Sequence, residues 1–345
     1  MDIASVREQW DPEVVYLNTA TYGLPPQVAW DALQEAIEGW RAGRTSFRVW
    51  DESVTGARAA FARLVGTDIH NVAIGSTVSA FAGLVAASLP EGSIVLVPDV
   101  EFTSNLFPWM VHADRKIEVR LVDGRDLLDA IDESITLVAI SSVQSATGEV
   151  APIDEIARAA HRCGTQVFVD ATQSCGWLPI DASNVDFLAC AAYKWLLSPR
   201  GTAFMTVGPE RLDLVRPAAA GWYAGASVHD SYYGPPLRLA GSARRLDISP
   251  AWFSWVGTQP ALELLESVGI DRIHEHNVGL ANRFRAGMEL PDGDSAIVSL
   301  DLEGAAERLE SAGIVASVRG GRLRASFHLY NTPADVDAAL KALAR

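Results

Sequence analysis

Lysine is nearly absent. The 345-residue chain holds 25 arginines but only three lysines, Lys116, Lys194 and Lys341. A guanidinium cannot replace a primary amine in covalent chemistry, so any reaction that needs one has three candidates. Cysteine is scarce as well. Cys163, Cys175 and Cys190 form no CxxC pair and no even-numbered framework, which argues against a disulfide scaffold and a cysteine-rich zinc site. No metal is expected. Positive charge is in deficit: 28 basic against 43 acidic residues give a net charge of −15. Such a chain has no basic footprint for nucleic acid and is repelled by anionic headgroups. It lacks GxGxxG and GxxxxGK[ST], which removes the dinucleotide and P-loop readings. No basic-then-apolar segment opens it, so no signal peptide is expected. The one long uncharged stretch, 71–90, is broken by Asn71, Gly75, Ser76, Thr77, Ser79 and Ser88, unlike a membrane span. A cytoplasmic, reducing location is the expectation.

What is present is ordinary globular material, 49% apolar and 21% charged. At this length it makes one large domain or two moderate ones. Short apolar runs at Ile94–Pro98, Leu137–Ser141, Gln166–Asp170 and 202–207 predict strands, with helical patterns at 79–89 and 152–162 between them. Strands alternating with helices predict an α/β fold with a mainly parallel sheet covered on both faces. After about residue 250 the texture becomes α+β. A long helical pattern at 259–288 is interrupted near Gly269, and short strands at 296–300 and 323–327 alternate with helices at 304–311 and 333–344. The expected division is a large domain over 1–250 and a small C-terminal domain over 251–345. The Gly-, Pro- and Tyr-rich loop 216–239 is too long for a simple connection, as functional or interface loops are.

Four motifs carry chemistry. AIGSTVSAF (residues 73–81) reads as strand, turn and helix. Its backbone N–H groups and hydroxyls suit a phosphate, although a plain helix cap has the same pattern. VFVDATQ (167–173) puts Asp170 at the C-terminal end of an apolar strand, where ligands of open α/β sheets bind. There it can pair with a cationic ligand nitrogen, or serve as a cap. CAAYKWLLSPRG (190–201) sets Lys194 between apolar runs. Desolvation lowers a lysine's pKa and makes it a better Schiff-base nucleophile, whereas Lys116, in DRKIEVR, and Lys341, near the chain end, suit the surface. GRLRASFHLYN (321–331) offers Arg322 and Arg324, two residues apart on one strand face, as forks for a carboxylate. A phosphate site, a strand-end carboxylate, a buried amine and a carboxylate-binding arginine together describe pyridoxal 5'-phosphate chemistry on an amino acid.

From YLNTATYGLPP (16–26) to RASFHLYNT (324–332) the chain resembles the class V aminotransferase superfamily, which includes cysteine desulfurases, kynureninases and isopenicillin N epimerase-like proteins. The resemblance implies the fold type I architecture of pyridoxal-phosphate enzymes: a central, mainly parallel sheet with helices on both faces and a small C-terminal α+β domain. It implies Lys194 as the Schiff-base lysine and Asp170 as the partner of the pyridine nitrogen. Gln173 would reach the phenolic oxygen, Ser76, Thr77 and Tyr193 would hold the phosphate, and Phe102, where desulfurases carry histidine, would stack on the ring. Arg324 would bind the substrate α-carboxylate, with Arg322 as the competing assignment. The family is dimeric, and Trp222 of GWYAG and Ser249 of DISP resemble residues that serve the own or the neighbouring subunit's site.

Departures narrow the chemistry. A desulfurase needs a nucleophilic cysteine on a mobile loop shortly before the carboxylate-binding arginine, and ESAGIVASVRGGRLRAS has none. Kynureninases resemble the chain in AAYKWL and GWYAG but would carry histidine at the position of Gln173. The expectation is therefore an enzyme acting on a small amino acid, of aminotransferase or Cβ-lyase (C–S lyase) type. An amino-acid epimerase and a catalytically silent scaffold of the same fold are the alternatives. Its partners would be the amino acid and a second copy of the chain.

Overall fold

The computed structural model describes residues 1–344. In chain order its main elements begin with α1 (Ile3–Arg7), β1 (Val15–Tyr16), α2 (Gln27–Arg41), α3 (Phe47–Leu64), β2 (Val72–Gly75) and α4 (Val78–Ser88). They continue with β3 (Ile94–Pro98), α5 (Phe107–Met110), β4 (Glu118–Val122), β5 (Leu137–Ser141), α6 (Ile153–Arg162), β6 (Gln166–Asp170), β7 (Phe187–Ala191) and β8 (Ala203–Val207). The C-terminal part holds α7 (Trp252–Val268), α8 (Ile270–Gly287), β9 (Ile297–Leu300), α9 (Ala305–Ser311), β10 (Ile314–Val315), β11 (Ser317–Arg319), β12 (Arg322–Ser326) and α10 (Pro333–Leu343).

The predicted α/β architecture is what forms. A seven-stranded sheet runs in the order β2-β8-β7-β6-β5-β3-β4, and only β8 is antiparallel to its neighbours. Its central strands read as unbroken apolar runs because both faces are covered. Along β3, Leu96 belongs to the core on one face, with Ile74, Val138, Val169 and Phe204. Val95 and Val97 belong to the other, with Phe81, Val85, Trp109 and Phe168. This alternation is the period-2 geometry of a strand. The helical pattern at 259–288 resolves into α7 and α8, which Gly269 separates.

The C-terminal part carries a three-stranded antiparallel sheet, β11-β12-β9, over its own core of Leu280, Phe284, Val298, Leu323, Phe327 and Val336. Packing crosses residue 250 in both directions. β1 pairs with β10, Val15 opposite Ile314, and Leu17 joins the small core. Trp255, Leu262 and Leu265 of α7 join the core of the large sheet. The N-terminal segment is therefore a strap between the two parts. Its anchor is Gly23, whose N–H donates to the Tyr193 carbonyl at 3.0 Å. A Cβ on Gly23 would stand 2.0 Å from the Lys194 carbonyl oxygen, so only glycine allows that approach.

Candidate active site

The C-terminal ends of β2, β3, β5, β6 and β7 lie along one edge of the large sheet, where open α/β sheets bind ligands. Predicted groups follow β2, β3, β6 and β7. The end of β6 presents Asp170, opposite Ser141 at the end of β5. One carboxylate oxygen of Asp170, Oδ1, accepts the Thr172 N–H at 2.9 Å. The Thr172 side chain also acts on this carboxylate. Burial raises the Asp170 pKa, partly offset by the Thr172 hydrogen bonds and by Lys194.

Lys194 follows β7. It is 9% exposed, and its Nζ lies 5.7 Å from the Phe102 ring centre and 5.8 Å from that of Tyr193. Among the described residues the amine has neither a hydrogen-bond nor an ion-pair partner. Desolvation is the largest influence on it; Asp170 opposes that effect and Arg324 adds to it, leaving a pKa of about 8. An uncommitted amine in a dry site is costly to the fold, which is why lysines seldom sit this way without a chemical use.

Gln173 is locked by its neighbours. Its Oε1 accepts from Trp195 Nε1 at 2.7 Å and its Nε2 donates to the Ala20 carbonyl at 3.0 Å. The donor on Trp195 fixes the amide orientation and leaves one amide hydrogen free. His328 supports this arrangement from the small core: its Nε2 lies 3.0 Å from the Trp195 carbonyl. Burial pulls the imidazole pKa down to about 4, so it is neutral and donates there.

Ser76 and Thr77 stand between β2 and α4. The Thr77 hydroxyl caps the helix, accepting the Ala80 N–H at 3.2 Å. The preceding N–H groups of the first turn have no intrahelical acceptor and face the same end. Beneath this turn lies a buried ion pair, Arg58 Nη2 to Asp247 Oδ2 at 2.6 Å. Asp247 Oδ1 also accepts the Ile74 N–H at 2.8 Å, so the DISP segment fixes the end of β2.

The two arginines of the late strand separate. Arg324 is 2% exposed. It donates through Nε to Ser317 Oγ (3.1 Å), through Nη1 to the Ser145 carbonyl (2.5 Å) and through Nη2 to Thr21 Oγ1 (2.7 Å). Burial and the nearby Arg319 lower its pKa to about 10. Arg322 is exposed and bonds to Ser299. The site therefore brings together Lys194, Asp170, Phe102, Tyr193 and Arg324, with Gln173 and the Ser76–Thr77 turn on the same sheet edge. Trp222 and Ser249 are not in this group. Trp222 packs on Tyr223, Tyr232 and Trp252, and Ser249 is exposed.

Other participants carry no motif of their own. Glu101 is buried and accepts from Ser141 N (2.6 Å), Ser141 Oγ (2.5 Å) and Phe102 N (2.7 Å). It thereby ties the Phe102 loop to β5. Thr21 and Ser145 come from loops remote in sequence from Arg324. The only signal for Glu101 and Thr21 is their place inside the segments VEFTSN and YLNTATYG.

Residues 14–300 match the family model described as aminotransferase class-V. The chain is 30% identical to the uncharacterised aminotransferase YcbU of Bacillus subtilis, covering 91% of this chain and 89% of that protein. It is 29% identical to isopenicillin N epimerase of Streptomyces clavuligerus, covering 80% and 75%. Among solved structures, the cysteine desulfurase CsdA of Escherichia coli superposes with a TM-score of 0.87 at 22% identity, covering 100% and 98%. The cystine C-S lyase C-DES superposes with a TM-score of 0.86 at 22% identity, covering 96% and 97%.

Proposed function

Because the chain belongs to the class V aminotransferase family, whose cofactor is pyridoxal 5'-phosphate, we propose that it takes the Cα proton from a small amino acid and completes either amino transfer or Cβ elimination. The observation that carries this reading is the Lys194 amine: buried, unpartnered, and set between a strand-end carboxylate and a buried guanidinium.

The residues present fit the cofactor. Asp170, a carboxylate at the strand end, suits a protonated ring nitrogen, and Gln173 keeps one amide hydrogen. Phe102 and Tyr193 offer ring faces beside Lys194, and the first turn of α4 with Ser76 and Thr77 suits a phosphate. When bound, the cofactor supplies an electrophilic carbonyl and a sink for the electrons left at Cα. Lys194 Nζ would hold the cofactor and, as a free amine, would be the base that moves the Cα proton. Asp170 holds the proton on the ring nitrogen. Arg324 grips the α-carboxylate and orients Cα toward Nζ, a task suited to a fork already fixed at three nitrogens.

A persulfide route is disfavoured. β11 and β12 are joined by the two-residue turn Gly320–Gly321, with no cysteine. Cys175 and Cys190 are buried in the core of the large sheet, and Cys163 caps α6. Trp222 and Ser249 support a homodimer in which they serve the neighbouring site, and a cytoplasmic location is part of the same proposal. Among the described residues no helix is long and apolar enough to cross a membrane. The test is product analysis with a panel of amino acids, with and without a keto-acid acceptor. Turnover that requires the acceptor means amino transfer. Acceptor-independent release of pyruvate and ammonia means elimination. Racemised substrate alone, or no reaction with any amino acid, defeats the proposal.

A further inference from the structure

Arg324 has a neighbour that an α-carboxylate leaves without an anion. Arg319, at the end of β11, donates through Nη2 to Thr21 Oγ1 at 3.2 Å. This is the same oxygen that accepts from Arg324 Nη2 at 2.7 Å. One hydroxyl thus holds two guanidiniums side by side. Their other acceptors are neutral: Ser317 and Ser145 for Arg324, and the Val318 carbonyl for Arg319. Among the described residues neither has a carboxylate within ion-pair distance, although the chain has 15 more acidic than basic residues.

The pair is also held stiffly. Arg319 lies opposite Arg322 at the closing position of the hairpin. The two turn residues, Gly320 and Gly321, have φ of +55° and +78°, the left-handed pair of a tight two-residue hairpin. Arg324 is buried and Arg319 exposed, so the shared Thr21 hydroxyl sets the second guanidinium on the solvent side of the first. One monoanionic amino acid neutralises one of them. With the α-carboxylate on Arg324, the exposed Arg319 is left with no anion beside it, an arrangement that a ligand with a second negative group can use.

Resting on the amino-acid reading above, we infer that the substrate is a dicarboxylic amino acid, and that Arg319 recognises the side-chain carboxylate while Arg324 holds the α-carboxylate. The hairpin sets the reach between the two, so one chain length should be preferred.

The test uses the cofactor-loaded enzyme and dead-end acids without an amino group. Succinate, glutarate and adipate are titrated by calorimetry at fixed ionic strength against propionate, butyrate and valerate. One diacid should bind about 10-fold tighter than its monoacid, the scale of an added charge-assisted contact. Arg319→Gln should erase that preference, and Arg324→Gln should weaken both series. Equal affinities for diacids and monoacids in the wild type, or a preference that survives Arg319→Gln, would overturn the inference. A second arm separates the two levels of the proposal by following the cofactor absorption band during addition of alanine, aspartate, glutamate and 2-aminoadipate. If alanine perturbs the band as effectively as every diacid, the amino-acid reading stands and this one falls. If no amino acid perturbs it, both fall.

Discussion

Removing the Lys194 amine should make the cofactor-free protein more stable while destroying its chemistry. The amine has an ordinary pKa of 10.5 and is brought to about 8 by burial. At 1.36 kcal/mol per unit, keeping it in place costs about 3 kcal/mol whenever the unfolded lysine is protonated. The sign follows from the lowered folded value: the cost is full below pH 8 and is relieved as pH rises from 8 toward 10.5. Lys194→Met keeps the volume and removes the ionisable group. The apo variant should therefore exceed apo wild type by about 3 kcal/mol at pH 7, with the gap closing toward pH 10.5. Urea titrations of both apo proteins at pH 7, 8, 9 and 10 measure this, and titrating groups not coupled to Lys194 cancel in the difference. The same shift sets a rate. At pH 7.5 an amine of pKa 8 is about one quarter neutral, against about one part in a thousand for an ordinary lysine, and only the neutral form attacks a carbonyl. Cofactor capture by wild-type apo-protein should thus rise up to pH 8 and then level off. A variant no more stable than wild type at pH 7, or capture still rising tenfold per unit above pH 9, would refute the reasoning.

Asp170→Asn should keep the cofactor bound but slow Cα proton exchange on the order of 10²-fold, because an amide cannot hold the ring nitrogen protonated; exchange in deuterium oxide followed by NMR reads this directly. Replacing Cys163, Cys175 and Cys190 together by Ala or Ser should leave turnover dependent on the same substrate and acceptor, and a folded but inactive triple variant would restore the persulfide route. Arg58→Met should cost about 3–5 kcal/mol, since it leaves Asp247 buried without its partner, while the double variant Arg58→Met, Asp247→Leu should recover only part of that loss, because the Ile74 N–H then loses its acceptor; denaturant midpoints decide between pairing and packing.

The large sheet was legible because burial on both faces writes an unbroken apolar run into each central strand. β4 is not legible by that rule. As an edge strand it mixes Glu118 and Arg120 with Val119 and Leu121 and leaves several side chains half-exposed. β7 hides for the opposite reason: Phe187–Ala191 merges with the apolar surroundings of Lys194, so no turn signal marks its end. The strap formed by β1 is invisible locally. Two residues that pair with Val315 and Ile314, some 300 positions away, leave no periodic trace. α7 packs with the large core, although its helical texture runs on into that of α8.

The site was legible where a residue type is chemically costly and rare. A lysine between apolar runs and an aspartate ending a buried strand need a reason that the sequence itself supplies. Arginine is common in this chain, so spacing alone could not choose between Arg322 and Arg324, which share a strand face. Burial separates them: Arg324 is covered by Thr21, Ser145 and Ser317 from three separate segments, whereas Arg322 reaches only Ser299 and stays in solvent. Those covering residues are ordinary hydroxyls and a carbonyl with no signature of their own. They acquire meaning only when the N-terminal strap, the loop after β5 and the β11–β12 hairpin meet at the end of one guanidinium. The same meeting brings Arg319 onto Thr21, and a second cation beside the first is a property of that junction and not of any motif.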